Sequence, residues 1–400
     1  MSFFNLGEYL IDRLVDLGYG ERAAIVSSDS GEVTSYAQLQ QEVRKMVNAF
    51  QSLGLRREER IGLILRDRKE FVVSFLASAK FGCVVLPMNP AVAVHTTCLT
   101  LKEALCRVII SEVEYAQELV SEFTDGEKFI FVGSAVLPAD MRDVESRGVF
   151  TWTDLQTKAE PTTFCCPTTG DSPCYWACTS GTTGLPKIAM HRHADLKILS
   201  ELYAGEVLLM SLGRQDISFS AAPIFHTYGQ GNAMFALSYA ATIVLEEVRP
   251  ISPKRIAHIV RTYRPTLFYS VPTVFNALVQ VEEPADSFAS IRIAVSAGEP
   301  LPDTIFDSFR KVYGIDIIDG IGSTEAGHVY CSNRVGNLTR NSCGFAIPGY
   351  ELQLRDDVGK DIPSVKGAIG TLYVKSPSAG IFHLLSYIVI DFHSLIYVCS

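Results

Sequence analysis

The residues of this sequence best suited to chemistry lie between Thr179 and Lys187 and read TSGTTGLPK. Glycines permit backbone angles and close approaches that other residues exclude. Backbone N–H groups in such a loop can converge on an anion, and hydroxyls and a lysine add to the attraction. The segment therefore predicts a polyphosphate-binding loop whose contacts come from Thr179, Ser180, Gly181, Thr182, Thr183, Gly184 and Lys187. Composition alone leaves a flexible surface turn as an equal alternative, because Ser, Thr, Gly and Pro favour turns generally.

The loop differs from the Walker phosphate loop, which has a lysine directly after its second glycine and a Ser or Thr after the lysine. Here Leu185 and Pro186 precede the lysine and Ile188 follows it. We predict a strand over 174–178, then the loop, then a helix. That order favours anion binding at a helix N-terminus.

Three further polar, glycine-rich turns each follow a predicted strand, over 216–221, 291–296 and 315–318. The turns read PIFHTYG at 223–229, AGEP at 297–300 and DGIGSTE at 319–325. Ligands of open α/β sheets bind at the carboxyl ends of the strands. One such turn alone could be ordinary, whereas three that follow a phosphate-type loop indicate a binding site.

The elements around these turns alternate between strands and helices, which predicts an α/β fold with two mostly parallel sheets flanked by helices. A strand over 60–65, a helix over 70–81 and a strand over 83–86 form a unit of the kind that parallel pairing requires. We predict a first α/β subdomain over 1–160 and a second over 161–345 that holds the nucleotide site. Short alternating strands after 350 predict a partial β-barrel subdomain over 346–380.

Composition and charge exclude several classes of function. The chain has 400 residues, of which 48% are hydrophobic and 20% charged, as in a globular protein. Its net charge of −9 comes without a cluster of Lys and Arg, so nucleic acid is not expected as a partner. The first residues lack the basic and apolar regions of a secretory signal.

Cysteine and histidine spacing gives no metal site. The 10 cysteines lack the paired spacing of zinc ligands or of a disulfide framework, which predicts reduced thiols and a cytoplasmic location. His191 and His193 have the spacing of metal ligands on a strand. A structural role is favoured for both, because no third ligand lies nearby in the sequence.

Taken together, the TSGTTGLPK loop and the turns resemble the adenylate-forming (AMP-binding) superfamily of acyl-CoA synthetases, aryl-CoA ligases, luciferases and peptide-synthetase adenylation domains. The resemblance covers about residues 5–380. It implies the fold of the N-terminal domain of these enzymes. It also implies that the loop holds the β- and γ-phosphates of ATP, and that the backbone of Gly298, Glu299 and Pro300 lies along the adenine.

The DGIGSTE motif resembles the acidic-ended motif of the family, which implies a role for several of its residues. Asp319 would bond the adenine amino group, Thr324 would bind the α-phosphate and Glu325 would ligate Mg²⁺. These roles agree with general chemistry, since a carboxylate suits an exocyclic amine and Mg²⁺ prefers oxygen ligands. The implied catalytic residues are Lys187, Thr324 and Glu325. The nucleotide site would also include Gly320, Ile321, which packs on the adenine ring, Gly322 and Ser323.

His226 bears on the class of acid. Amino-acid-activating members of the family have an aspartate here that pairs with the substrate ammonium, and a histidine supplies no fixed negative charge. The segments SAAPIFHTYGQGNA and GSTEAGH are similar to those of benzoate-type aryl-CoA ligases. This similarity implies an acid pocket lined by His226, Tyr228, Gly229, Ala297, His328 and Val329. An ordinary loop histidine remains the alternative for His328.

The implied reaction has two halves and uses ATP, Mg²⁺ and coenzyme A. The carboxylate of a small acid attacks the α-phosphorus of MgATP, which gives an acyl-adenylate and pyrophosphate. A thiol, of coenzyme A or of a carrier protein, then displaces AMP. Two alternatives are a non-catalytic remnant that binds nucleotide or acid, and the adenylation part of a carrier-protein-linked synthetase.

The resemblance fades at about Ser378. The Tyr/Arg-Thr-Gly-Asp motif of the family and its lysine-bearing C-terminal domain do not follow, so we expect a C-terminally truncated chain with weak or no adenylation. Residues 381–400 form an apolar tail, either a short membrane segment or an end unrelated to the family. The second is favoured and membrane association is not expected, because His383, Asp391 and His393 interrupt the apolar run.

Overall fold

The computed structural model describes residues 2–123, 126–134, 136, 148–179, 187–363 and 368–380. The described residues form two compact units. Unit 1 is drawn from Met1–Ala194 and Leu245–Glu247, and unit 2 from Asp195–Val244 and Val248–Ser400. The predicted fold class is confirmed, because each unit contains a mostly parallel sheet and helices.

Unit 1 is built on a sheet whose strand order is β7-β6-β5-β3-β4-β8-β9. All neighbours in this sheet pair in parallel except β8 and β9, which are antiparallel. Strands β1 and β2 do not belong to it and pair with each other in antiparallel orientation. The strands are β1 (Ala23–Ser27), β2 (Val33–Ser35), β3 (Arg60–Ile64), β4 (Val84–Pro87), β5 (Cys106–Glu112), β6 (Lys128–Val132), β7 (Val149–Thr151), β8 (Pro173–Cys178) and β9 (Ile188–Arg192). The helices are α1 (Tyr36–Ser52), α2 (Lys69–Phe81), α3 (Val94–Glu103), α4 (Ala116–Glu122) and α5 (Trp152–Lys158).

Helix α1 shows how local sequence sets these elements. The Ser35 hydroxyl accepts the backbone N–H of Gln38, and the Gln38 side chain accepts the N–H of Ser35, which satisfies two donors at the helix start. The apolar residues recur every three or four positions and are buried, as an amphipathic helix requires: Leu39, Val43, Met46, Val47 and Phe50.

The N-terminal segment packs on unit 1 through a buried ion pair. Leu6, Leu10 and Leu14 are fully buried in helical turns. On the same segment the Asp12 carboxylate accepts a hydrogen bond from Lys80 Nζ of α2 at 2.5 Å. Asp12 is 6% exposed and Lys80 is 2% exposed, so both charges depend on their protein partners.

Unit 2 contains the sheet segment β16-β15-β14-β13-β12-β10-β11, in which β10 to β14 pair in parallel and β15 and β16 are antiparallel. Helix α6 (His193–Leu199) precedes it. The strands are β10 (Ile217–Ser220), β11 (Thr242–Leu245), β12 (Leu267–Ser270), β13 (Ile293–Ser296), β14 (Ile317–Gly322), β15 (Val329–Ser332) and β16 (Phe345–Ala346). The helices are α7 (Thr227–Ser238), α8 (Pro253–Tyr263), α9 (Pro272–Val279) and α10 (Asp303–Tyr313).

An apolar core fixes one face of this sheet. Phe219, Phe268 and Ile317 from the strands pack in one cluster with residues of α8, α9 and α10. Burial of this apolar area is the main force that holds the strands in register. The carboxyl ends of the strands, which carry the polar turns, are thereby placed side by side.

A smaller antiparallel sheet ends the described chain. Its order is β18-β17-β19, formed by β17 (Glu351–Arg355), β18 (Asp361–Ile362) and β19 (Thr371–Lys375). The start of a β barrel was predicted here, and in the described part of the chain this sheet stays open and no barrel closes. Alternating short strands have the same sequence pattern in both architectures, so the pattern alone cannot separate them.

Two sequence-based assignments are corrected. Strand β8 was assigned to the second α/β unit, but it pairs with β4, and its partner β9 completes the first sheet. The segment after the phosphate-type loop is therefore strand β9, and a helix begins only at His193. The reason is that the backbone groups of β8 find partners in β9, a pairing that the loop composition does not reveal.

The predicted subdomain limits and the apolar tail have different outcomes. Strand β7 and helix α5 lie at the end of the predicted first subdomain. The units divide after Ala194, whereas the subdomain limits at 160 and 345 stay a prediction. The tail at 381–400 lies outside the described residues. Among the helices that the structure describes, none has the length and apolar character needed to cross a membrane.

Candidate functional site

Polar residues meet at the carboxyl ends of three neighbouring strands of unit 2. Ser270 ends β12, Ser296 ends β13, and Asp319 lies in β14, and the pairing register sets all three side by side. Residues in register on parallel strands point to the same face of the sheet. The Ser270 and Ser296 hydroxyls are buried and have no hydrogen-bond partner among the described residues. Buried hydroxyls usually have a hydrogen-bond partner, so two neighbouring hydroxyls without one distinguish this edge of the sheet.

Asp319 is the ionisable member of this row. Burial raises its pKa from 3.8 to about 7, and hydrogen bonds from the backbone N–H groups of Leu301 and Gly320 only partly oppose this. Its Oδ1 atom is buried and has no partner within the described chain. An acceptor held in this way suits a donor that arrives with a ligand.

The turn predicted to contact adenine lies beside Asp319. Leu301, whose N–H group reaches the Asp319 carboxyl, directly follows this turn. Gly298, Glu299 and Pro300 are exposed, and Gly298 has a positive φ of 89° that favours glycine. The structure therefore brings together two segments that the sequence analysis assigned to one nucleotide.

The DGIGSTE motif runs from β14 into the tight turn before β15. The Ser323 hydroxyl accepts the N–H of Ala326 at 3.2 Å, and the Thr324 carbonyl accepts the N–H of Gly327 at 3.1 Å. The motif residues from Ile321 to Glu325 are half-buried and Gly320 is buried. The turn thus leaves Thr324 and Glu325 partly accessible to a ligand.

A metal would need more than Glu325. The part of the chain that the structure describes holds no group of three or more His, Cys, Asp or Glu residues arranged as a metal site. Mg²⁺ commonly binds through one or two carboxylates together with substrate phosphates and waters. The half-buried carboxylate of Glu325, beside the turn predicted to contact phosphate, fits that mode.

Aromatic side chains form the other half of the site, on α7 and the turn before β15. The Tyr228 hydroxyl donates towards the carbonyls of Ser270 at 3.3 Å and Val295 at 3.2 Å, which ties α7 to the ends of β12 and β13. The Tyr228 ring lies 5.3 Å from the His328 ring. Burial comes first and Asp319 last among the causes that raise the pKa of Tyr228, so it stays neutral.

His328 is buried and neutral. It is 3% exposed, and burial lowers its pKa to about 3. Its ring lies 5.4 Å from the ring of Tyr203 and 4.8 Å from that of Phe235. The ordinary loop histidine left open by the sequence does not fit this enclosed aromatic position.

The other predicted acid-pocket residues lie on the same elements. Ala297 follows β13 and Val329 begins β15, and both are buried. His226 is exposed at the N-terminus of α7. A Cβ atom at Gly229 would lie 2.1 Å from the Pro223 carbonyl oxygen, so only glycine allows α7 to start this close to the preceding loop.

The phosphate-type loop belongs to unit 1 and is described only at its ends. The backbone N–H of Thr179 donates to the Lys187 carbonyl at 2.8 Å and continues the pairing of β8 with β9. The predicted contacts of residues 180–186 lie outside the described residues. Lys187 is half-buried at the start of β9. The role of the loop therefore stays a prediction.

His193 has a structural contact within unit 1. It is fully buried, and its Nδ1 accepts the backbone N–H of Leu6 at 3.0 Å. Burial lowers its pKa to about 4. The contact ties the N-terminal segment to the start of α6, which supports the structural role favoured for this histidine.

Sequence reasoning gave no role to three residues around His328. Tyr203 and Phe235 supply rings, and Asn232 supplies a hydrogen bond to the imidazole. Asn232 lies within the segment GQGN that follows Tyr228, but nothing in the sequence joins it to His328, 96 residues away. Contacts at such separation emerge only when the sheet brings α7 and β15 together.

The chain is similar to known proteins over most of its length. Residues 16–382 match the family described as AMP-binding enzyme. The chain is 31% identical over 383 residues to a benzoate–CoA ligase of Thauera aromatica, covering 95% of this chain and 70% of that protein. It is 30% identical over 388 residues to a 4-hydroxybenzoate–CoA/benzoate–CoA ligase of Rhodopseudomonas palustris, covering 94% and 68%.

Solved structures show the same likeness. A benzoate CoA ligase from Burkholderia xenovorans LB400 matches with a TM-score of 0.85 and 31% identity, over 96% of this chain and 74% of that one. The anthranilate CoA ligase AuaEII, solved in complex with anthranoyl-AMP, matches with a TM-score of 0.89 and 27% identity, over 97% and 72%.

Proposed function

The chain belongs to the AMP-binding enzyme family, and on this premise we propose that it activates an aryl carboxylic acid as an acyl-adenylate and transfers the acyl group to coenzyme A. The observation that carries the proposal is the pairing of two half-sites in unit 2. One offers a buried carboxyl acceptor at Asp319, and the other offers neutral aromatic groups at Tyr228 and His328.

The nucleotide half uses the carboxyl of Asp319, whose Oδ1 has no hydrogen-bond partner among the described residues. Asp319 accepts the adenine amino group, and the exposed backbone of 298–300 lies along the base. The orphaned Oδ1 of Asp319 supports this role, because a buried acceptor without a donor costs free energy that a ligand can recover. A proton is held by Asp319 in the free protein near neutral pH and must leave before the carboxylate accepts the amine fully.

The acid half favours an aromatic ring over an amino acid. His226 stands at the position where amino-acid-activating members have an aspartate, and His328 is neutral at physiological pH. Neither supplies the fixed negative charge that an ammonium group requires. The names of the relatives, which act on benzoate, hydroxybenzoates and anthranilate, support the same class.

The phosphates are the third part of the substrate. Lys187 and the hydroxyls of the 179–184 loop hold the β- and γ-phosphates, and Thr324 contacts the α-phosphate. Glu325 would hold Mg²⁺, which would supply charge neutralisation at the phosphates. Adenylation depends mainly on aligning the acid with the α-phosphorus, which the rigid ends of the strands provide.

The acceptor and the cellular setting follow from the same premise. Coenzyme A is the acceptor in the proposal, and a carrier-protein thiol is the alternative. The cysteines that the structure describes are free thiols, which supports the cytoplasmic location expected from the sequence.

ATP–pyrophosphate exchange tests the proposed function. Exchange should depend on an aryl acid when benzoates, cinnamates, fatty acids and α-amino acids are compared at equal concentration. Lys187→Ala should reduce it by on the order of 10²–10³, and Glu325→Gln should raise the Mg²⁺ concentration required. Lys311→Ala, a lysine at the end of α10, is the matched control and should leave exchange unchanged. Exchange that responds to α-amino acids and not to benzoates would overturn the proposal.

A further inference from the structure

A chain of hydrogen bonds runs from His328 into helix α7. His328 Nε2 lies 3.2 Å from the Tyr228 carbonyl oxygen and 3.2 Å from Asn232 Oδ1. Asn232 Nδ2 donates to the Ser220 hydroxyl at 3.3 Å, and that hydroxyl donates to the Ala222 carbonyl at 3.1 Å. Asn232 is 1% exposed, so these bonds are made without competing solvent.

The direction of every bond in this chain is determined. A backbone carbonyl can only accept, so His328 Nε2 must carry the proton that faces Tyr228. The atom of Asn232 that faces Nε2 is then its oxygen, and its amide nitrogen faces Ser220. The imidazole is therefore the Nε2–H tautomer, and Nδ1 carries a lone pair. That Nδ1 atom is buried and has no hydrogen-bond partner among the described residues.

Close packing around the His328 imidazole restricts where the ring can lie. A Cβ atom at Gly231 would lie 2.4 Å from His328 Cδ2, so the imidazole packs directly on the α7 backbone next to Asn232. The rings of Phe235 and Tyr203 stand at 4.8 Å and 5.4 Å. Packing limits where the ring can lie, but it does not select which nitrogen carries the proton. That selection comes from the acceptors at Nε2.

We propose that Asn232 is a positioning residue, which fixes the tautomer and orientation of His328 and so sets the affinity of the acid pocket without touching the acid or the nucleotide. The part that concerns acid affinity rests on the proposed function. The part that concerns His328 does not, because it is a property of the free protein.

The consequence is that the second ring nitrogen of His328, the buried Nδ1, is a hydrogen-bond acceptor instead of a donor. A ring that flipped or changed tautomer would present N–H at the same place, and the electrostatic character of that edge of the ring would reverse. Asn232 shares this role with the Tyr228 carbonyl, so its loss should weaken the arrangement and not abolish it. One hydrogen bond of this kind corresponds to about a three- to tenfold change in affinity.

Nitrogen-15 NMR of the histidine side chains, combined with calorimetric binding, tests the proposal on the protein. In the wild type, Nε2 of His328 should have the chemical shift of a protonated ring nitrogen and Nδ1 that of an unprotonated one. Asn232→Leu should weaken binding of benzoate about three- to tenfold and leave the dissociation constant of ATP unchanged. Ser238→Ala, a buried change on the same helix away from His328, should change neither.

Asn232→Asp distinguishes a positioning role from a purely structural one through the pKa of His328. It keeps an oxygen at Nε2 but adds a negative charge, which should raise the pKa of His328. The His328 signal should then titrate between about pH 5 and 8, where the wild-type signal stays constant. The neighbouring Tyr203 and Tyr228 stay neutral throughout this range because burial raises the pKa of both. Asp319, whose field reaches both tyrosines, titrates near pH 7 in the wild type as well, so the wild-type signal at each pH is the reference for the variant.

An unprotonated Nε2 in the wild type, or unchanged benzoate affinity in Asn232→Leu, would overturn the proposal. A protein that bound no aryl acid but showed the expected tautomer and the expected titration of Asn232→Asp would contradict the proposed function only. The positioning of His328 by Asn232 would then stand.

Discussion

At the scale of a residue, the buried Asp319 of the proposed binding site lowers the stability of the folded protein when it is ionised. Burial raises its pKa to about 7, whereas the same carboxyl ionises near 3.8 when free of the fold. The folded protein therefore holds a proton that the unfolded chain has released across this range. Stability falls as pH rises from about 4 to 7, and the cost is complete above the folded-state pKa.

Asp319→Asn should accordingly stabilise the protein while it weakens nucleotide binding. The gain should be larger at about pH 8 than at about pH 5, and on the order of 2–4 kcal/mol at most, because only the ionised carboxyl is disfavoured. Thermal unfolding at the two pH values measures the gain, and calorimetry with ATP measures the loss. If Asp319→Asn melted at a lower temperature than the wild type at about pH 8, the carboxylate would be required for the structure.

Gly231→Ala tests the contact between α7 and His328. The new Cβ would need to displace the imidazole from 2.4 Å, which should cost about 1–3 kcal/mol of stability and weaken acid binding. Gly213→Ala is the matched control, since nothing lies within 4 Å of a Cβ there. Denaturant unfolding and benzoate titration compare the two. Equal behaviour of both variants would mean that the imidazole can move without cost.

At the scale of elements, periodicity predicted most helices and parallel strands, because burial on one face or both faces leaves a pattern in the chain. It failed where pairing partners mattered. Strands β8 and β9 belong to the first sheet because β8 pairs with β4, which ends at Pro87, 86 residues before Pro173. No local sequence pattern records a pairing at that separation. In the same way, His328 was predicted from its motif, whereas Asn232 was not, because its contact to His328 exists only in the folded sheet.

The N-terminal segment and α2 offer a test at this scale. Asp12→Ala removes the carboxylate that faces Lys80, which is 2% exposed, and should destabilise unit 1 by about 3–5 kcal/mol because a buried charge is left unpaired. Lys375→Ala breaks the Glu351 pair, whose side chains are 78% and 72% exposed, and should cost less than about 1 kcal/mol. Denaturant midpoints measure both.

The paired change Asp12→Leu with Lys80→Met separates charge from packing. It should recover much of the loss caused by Asp12→Ala, because apolar side chains of similar volume replace a buried ion pair with little cost. A double variant as unstable as Asp12→Ala would show that the unpaired Lys80 charge does not set the effect, and that packing or the hydrogen bonds of Asp12 with Arg44 and Gln40 do.

At the scale of the whole molecule, the proposed pair of half-sites lies in unit 2 of a chain with the fold of the AMP-binding enzyme family. The family and the fold class could be predicted from the sequence because a few glycine-rich motifs and the alternation of elements are local signals. The aromatic surroundings of His328 and the raised pKa of Asp319 could not, since both arise from burial that only the assembled sheet creates.

The most direct test of the central claim is the equilibrium binding of a stable aroyl-adenylate mimic, benzoyl-sulfamoyl-adenosine, measured by calorimetry. It spans both half-sites and needs no catalytic step. The account predicts that it binds far more tightly than ATP or benzoate alone, competes with both, and loses affinity in Asp319→Asn. Absence of binding, or tighter binding of an aminoacyl-sulfamoyl-adenosine, would contradict the account.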